Sequence, residues 1–232
     1  MHANNEVGTI QPLAEIGALA QSRRSYFHTD AAQSISKLPL DFAGLKIDLL
    51  TLAAHKFYGP KGIGALIVRG DLEFKAWMLG AGHESGRRAG TVNVAGAVGL
   101  GHACQLAETQ GAAIIAKVQA KRDLFYQLIC DGLGTSQAVK LNGHPTQRLP
   151  NTLNLSFPGC DGQEVLQATN LAASLGAACH TSSRQPSAVL AAMGVSAIDA
   201  LGAIRFSFGK FISEEEVSEA ANRIVKAVKA RA

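Results

Sequence analysis

Apolar and polar positions change period along this chain, and the changes predict its elements. From Pro12 to about Ser22, Leu13, Ile16, Leu19 and Ala20 recur at helical spacing, and Pro12 suits a first helical position. Residues 25–29 read as a short strand ending at Asp30. Residues 47–53 form a near-continuous apolar strand that ends at His55-Lys56, and residues 63–68 form another. Strands alternating with helices, with polar residues at strand ends, predict an α/β layer with its site on the strand-end side. Residues 80–90 are rich in glycine and read as an ordered loop holding His83, Glu84, Arg87 and Arg88. Two helices are expected next, over 91–107 and 113–133, the second leading into another domain.

The second part alternates differently. Leu153, Leu155 and Phe157 repeat every second residue, the pattern of a half-buried strand over 152–157. Helices are predicted over 161–169 and 185–193, the latter with Pro186 near its start. Residues 172–178 lead into Cys179. A strand over 204–208 carries Arg205. The last helix starts at Ser213, with Glu216 three residues on as a capping box, and Val217, Ala221, Ile224 and Val228 as its buried stripe. The expected division is 1–111 and 112–232, the latter an α+β unit.

Composition narrows the function classes. The 232 residues are 47% hydrophobic and 17% charged, as in ordinary globular chains. A net charge of +4, dispersed along the chain, gives no basis for nucleic-acid binding. No run reaches the ~18 apolar residues of a membrane span. Cys104, Cys130, Cys160 and Cys179 form no CxxC pair, which argues against a disulfide scaffold and makes the cytoplasm the expected compartment. The first three of these read as small buried hydrophobes. His2, His102 and His144 lack partners at metal-ligand spacing, so no metal is expected. The opening residues read like the middle of a domain, which predicts that the chain is the C-terminal part of a longer protein.

The chemistry concentrates at strand ends. A lysine at such a place forms an imine with a carbonyl compound when its surroundings lower its pKa or orient it. A pyridine aldehyde also needs a carboxylate that keeps the ring nitrogen protonated, and gains from a donor near the ring oxygen. Lys56, Asp30 and Gln33 are these three types. Taken singly, Lys56 reads first as a surface lysine and Asp30 as a turn aspartate; the joint pattern His28-x-Asp30-x-x-Gln33 with His55-Lys56 carries the signal. Cys179 precedes the polar run His180-Thr181-Ser182-Ser183-Arg184, which favours an accessible thiolate.

His28-Thr29-Asp30-Ala31-Ala32-Gln33-Ser34 and Ala54-His55-Lys56-Phe57-Tyr58-Gly59-Pro60 resemble the pyridoxal-phosphate-dependent cysteine desulfurases, a family that includes the selenocysteine lyases. Asn4-Asn5-Glu6-Val7-Gly8, Arg87-Arg88-Ala89-Gly90-Thr91, Gly176-Ala177-Ala178-Cys179 and Ile204-Arg205-Phe206-Ser207 agree in order. The resemblance implies an aminotransferase-like fold of type I. Lys56 would carry the cofactor imine and move the Cα proton. Asp30 would pair with the pyridine nitrogen, Gln33 and Asn5 would contact the ring, and His55 would help hold the phosphate. Thr91 would reach the phosphate of the partner subunit in a homodimer. Arg205, with Asn5, would hold the substrate carboxylate. Cys179 would attack the sulfur or selenium of the bound substrate, giving alanine and a persulfide for a sulfur-acceptor or scaffold protein, or selenide. His83 is a further candidate near the substrate.

The pattern departs at Ala53, where the family carries a hydroxyl residue, at an expected cost of ~1–2 kcal/mol for the lost phosphate hydrogen bond. The family's phosphate-binding loop and ring-stacking side chain are expected upstream of the Asn4-Asn5 motif. Three other readings stay open: a selenocysteine lyase, an aminotransferase of the same fold, and a non-catalytic remnant or half of a split enzyme.

Overall fold

The computed structural model describes residues 1–70, 72–73, 75–134, 138–176 and 187–231. The chain divides into two compact units: Met1–His2 with Gln11–Ala112, and Ala3–Ile10 with Ala113–Ala232.

The first unit holds helix α1 (Leu13–Ser22), strands β1 (His28–Asp30), β2 (Leu49–Ala53) and β3 (Gly64–Val68), and the beginning of helix α2 (Val94–Leu133). β1 runs parallel to β2, and β3 pairs antiparallel to β2. Leu13, Ala31, Ile47, Leu50, Leu52, Phe57 and Ala103 form the core. The first strand is three residues long and begins later than the apolar pattern implies. Arg24 takes φ 54° and the Ser25 N–H closes back on the Ala20 carbonyl at 2.9 Å, so residues 23–25 finish α1 instead of opening a strand. β2 also starts later. The buried Asp48 carboxylate accepts the Phe27 N–H at 2.6 Å and pairs with Arg69, breaking the apolar run from inside. β3 is an edge strand with Leu66 and Ile67 exposed.

The two helices expected over 91–107 and 113–133 are one helix of 40 residues. It begins at Val94, not Thr91, because the Asn93 side chain accepts the Gly96 N–H at 3.0 Å. Gly111 lies inside it; one glycine costs only ~1 kcal/mol relative to alanine, too little to end a long helix. Cys104, expected to be buried, is exposed on this helix, whereas Cys160 is buried and its thiol pKa is raised by that burial.

The second unit is built on an antiparallel sheet, β4 (Lys140–Asn142), β5 (Thr152–Ser156) and β6 (Ala203–Ser207), with β5 central. Helices α3 (Gly162–Thr169), α4 (Ala188–Ala192), α5 (Ala197–Leu201) and α6 (Glu214–Lys229) complete it. The capping box is present: the Ser213 Oγ accepts the Glu216 N–H at 3.1 Å, and the Glu216 carboxylate accepts the Ser213 N–H at 2.7 Å. Val217, Ala221, Ile224 and Val228 bury against Phe125, Leu153, Leu155 and Phe206. β5 is buried along its whole length, not on one face. Its polar side chains are satisfied inside: Asn142 donates to Asn154 and Ser156, each at 2.8 Å, and Asn154 donates to the Glu6 carbonyl at 3.3 Å. β4 and α5 are unmarked in the sequence pattern. Residues 177–186, which include Cys179, His180, Arg184 and the start of the helix predicted over 185–193, lie outside the described residues. Among the described residues no helix is long and apolar enough to cross a membrane.

Candidate functional site

In the first unit the site grows from strand direction. Because β1 and β2 are parallel, their C-terminal ends fall on one edge of the sheet. Asp30 is the last residue of β1 and stands opposite Thr51. Side chains alternate along strands, so Asp30 shares a face with Thr51 and Ala53, while Thr29, Leu50 and Leu52 face the other way. β2 passes directly into a 3-10 turn, Ala54–Phe57, that carries His55 and Lys56. Asp30 and Lys56 are thus placed at the same strand-end edge, where ligands bind in open α/β sheets. Both are exposed, as is His55, and Gln33 is half-buried.

Local chemistry fixes these groups. Asp30 Oδ1 accepts the Ala32 N–H at 2.8 Å, which turns the chain toward Gln33. His28 Nε2 hydrogen-bonds Thr51 Oγ1 at 2.8 Å. The turn bearing Lys56 is closed from behind. Tyr58 takes the left-handed conformation (φ 69°), and the Gly59 N–H donates to the Ala54 carbonyl at 2.9 Å. A Cβ on Gly59 would lie 2.9 Å from the Ala54 Cβ and 3.2 Å from that of Ala103, so only glycine lets the turn rest on α2. Gly99 admits the Pro60 ring in the same way, at 2.5 Å from an added Cβ. These contacts explain why Gly59-Pro60 follows the lysine.

Lys37 was not singled out by any motif. Its Nζ donates to the Gln33 carbonyl at 2.8 Å and to the Lys56 carbonyl at 3.1 Å. Its pKa is lowered to about 8, first by burial and second by the charge of Lys56. The only sequence signal was its place four residues after Gln33, too common a spacing to mark it.

Thr91 stands exposed before α2 and shares the first unit with Lys56. His83 is exposed beside a 3-10 turn, Glu84–Gly86.

In the second unit the structure brings Arg205 and Asn5 together. Arg205 lies on β6 opposite Asn154, and its Nη1 donates to the Asn5 carbonyl at 3.0 Å. The Arg205 backbone pairs with Ser174, which precedes Gly176 and the residues leading to Cys179. Burial lowers the Arg205 pKa and the buried Glu6 opposes that shift. The guanidinium therefore lies near a buried carboxylate, with Nη1 on the Asn5 carbonyl and Nε buried without a hydrogen-bond partner among the described residues.

An amine, a carboxylate, an amide and an imidazole at one strand-end edge form a donor set that fits pyridoxal phosphate. Lys56 would hold its aldehyde carbon, Asp30 its ring nitrogen, Gln33 its ring oxygen and His55 its phosphate. Ala53 offers no hydroxyl there.

The aminotransferase class-V family model matches residues 1–219. The chain is 45% identical over 231 residues to a cysteine desulfurase IscS of Pseudomonas aeruginosa (strain LESB58), covering 98% of this chain and 56% of that protein. It is 41% identical over 232 residues to the Cysteine desulfurase IscS of Histophilus somni (strain 2336), covering 99% of this chain and again 56% of the relative. The chain thus spans little more than half the length of these curated relatives. Among solved structures, a NifS-like protein superposes with TM-score 0.87 at 31% identity, over 99% of this chain and 60% of that one. SspA in complex with cysteine gives TM-score 0.70 at 35% identity, over 91% and 58%. The mixed α/β architecture is that of the fold type I enzymes. With residues 1–219 matched, the chain belongs to the aminotransferase class-V family, whose members of this branch are pyridoxal-phosphate-dependent.

Proposed function

We propose that this chain carries the chemistry of a cysteine desulfurase that binds pyridoxal phosphate at Lys56. The observation that carries the reading is the placement of Asp30 and Lys56 at the C-terminal ends of adjacent parallel strands. The relatives named cysteine desulfurase support it. When bound, the cofactor supplies an electron sink. Lys56 holds it and moves the substrate Cα proton; Asp30 keeps the ring nitrogen protonated; Gln33 and His55 orient ring and phosphate. Arg205 and Asn5 bind the substrate carboxylate. The Cys179 thiolate attacks the substrate sulfur, the carbon–sulfur bond breaks, and a proton returns to carbon. One cysteine and one thiol give one alanine and one persulfide, so atoms and electrons balance.

The same reading makes the working enzyme a cytoplasmic homodimer, with Thr91 serving the partner subunit's phosphate and the persulfide sulfur passing to an acceptor or scaffold protein. The test is alanine formation from L-cysteine by the purified chain with pyridoxal phosphate. The expected result is alanine from cysteine, lost in Cys179→Ala. Alanine from selenocysteine alone would replace the reading with a selenocysteine lyase. Amino-group transfer to a 2-oxo acid without alanine would replace it with an aminotransferase.

A further inference from the structure

Lys37 stands outside every motif of the strand-end site, yet it touches two of its members. Residues 31–38 form a tight turn: the Ser34 and Ile35 N–H groups donate to the Ala31 carbonyl at 3.0 and 2.9 Å, and those of Lys37 and Leu38 to Ser34 at 2.9 and 3.0 Å. The Lys37 side chain leaves this turn and donates at 2.8 Å to the Gln33 carbonyl and at 3.1 Å to that of Lys56. A lysine ammonium has three donors and no acceptor, so two backbone carbonyls suit it. The group is half-buried and stays where its burial is costly, with its pKa lowered to about 8. An ordinary surface lysine would turn outward to water.

We propose that Lys37 is a positioning residue that clips the Gln33 segment to the Lys56 turn, so that the cofactor-holding amine and the ring-contact amide keep a fixed spacing. The proposal rests on the function proposed above. The clip acts on the Lys56 carbonyl, one backbone unit from the side chain that must meet an aldehyde. Misplacement of a reacting group by ~1 Å costs up to ~100-fold in rate. Gly59 and Pro60 hold the far end of the same turn against α2, so Lys37 supplies the tie on the Gln33 side.

Two readouts on the full chain test it: hydrogen exchange at the Tyr58 and Gly59 amides, which close the turn onto Ala54, and the rate of pyridoxal phosphate capture followed by absorbance. Lys37→Met is expected to speed exchange at both amides by about tenfold or more. It should slow capture by about tenfold. Lys37→Arg, which keeps charge and donors, should restore both. Lys37→Leu repeats the comparison with a second apolar replacement. Unchanged exchange in the folded Met and Leu variants overturns the clip. So does faster unfolding of the whole chain with capture unchanged, the mark of a purely structural lysine. The exchange readout needs no cofactor. Faster exchange in variants of a chain that captures nothing would sustain the clip and overturn the desulfurase reading instead.

Discussion

In the first unit Asp30, His55 and Lys56 stand exposed at the end of a short sheet whose third strand is an open edge; in the second, Arg205 lies on an outer strand of a sheet whose central strand is buried end to end. The difference follows from what each set must do. Under the proposed function Lys56 has to be reached by an aldehyde, and it sits exposed on a turn held from behind by Gly59, Pro60 and Lys37. Under the same proposal Arg205 would hold a carboxylate, which gains from partial desolvation and rigid support, and it is half-buried beside Glu6 and Asn5. The first unit leaves its candidate groups at the surface, and the second encloses a hydrogen-bonded polar layer. The second unit should therefore be the more stable.

The strongest way to break this comparison is a core truncation. Phe125 is 2% exposed and packs against Phe206 at 4.8 Å between ring centroids, with the rings tilted by 51°. Phe125→Ala should cost ~3–5 kcal/mol in chemical denaturation. On the exposed edge strand, Leu66→Ala should stay within ~0.5 kcal/mol. Equal losses would mean that the two units do not differ in packing as described.

The polar layer gives the next effect. Asn154 is fully buried and joins Asn142 to the Glu6 carbonyl. Asn154→Leu should cost ~1–3 kcal/mol, because the Asn142 amide and the Glu6 carbonyl lose a buried partner. An unchanged denaturation midpoint would show the layer to be dispensable.

A third test uses pH and belongs to the first unit. The folded Lys37 pKa, about 8, lies below its ordinary value of 10.5. Between these values the unfolded chain binds more protons, so stability must rise as pH climbs from 8 to 10.5. The gain should be at most ~2 kcal/mol after allowance for partial exposure, and absent in Lys37→Met. Lys56 is the charged neighbour that adds to the lowering. A wild-type curve that falls over this range would reverse the sign.

The smallest effect sharpens the turn itself. Gly59→Ala should cost ~1–2 kcal/mol by pressing on Ala54 and Ala103. It should also slow capture at Lys56, since Ala54 begins the same turn.

What was legible in the sequence was local. The α1 stripe, the Ser213–Glu216 box and the apolar runs that became β2 and β3 all depend on neighbours a few residues apart. The Asp30 and Lys56 signal was readable because both lie at strand ends. The complete burial of β5 was not, because its polar face is covered by Glu6 and Asn142, far away or in a strand too short to show a period. The continuity of α2 was missed because Glu108-Thr109-Gln110-Gly111, between the two predicted helices, carries no apolar stripe to join them. Lys37 was missed because a lysine that binds two carbonyls looks like any surface lysine until the chain is folded.

The most direct measurement of the central claim is borohydride reduction of the purified chain with pyridoxal phosphate, followed by peptide mapping. One dominant pyridoxyl adduct is expected, on Lys56, lost in Lys56→Arg and weakened in Asp30→Asn. Adducts spread evenly over the exposed lysines, or a dominant adduct elsewhere that ignores Asp30, would contradict it.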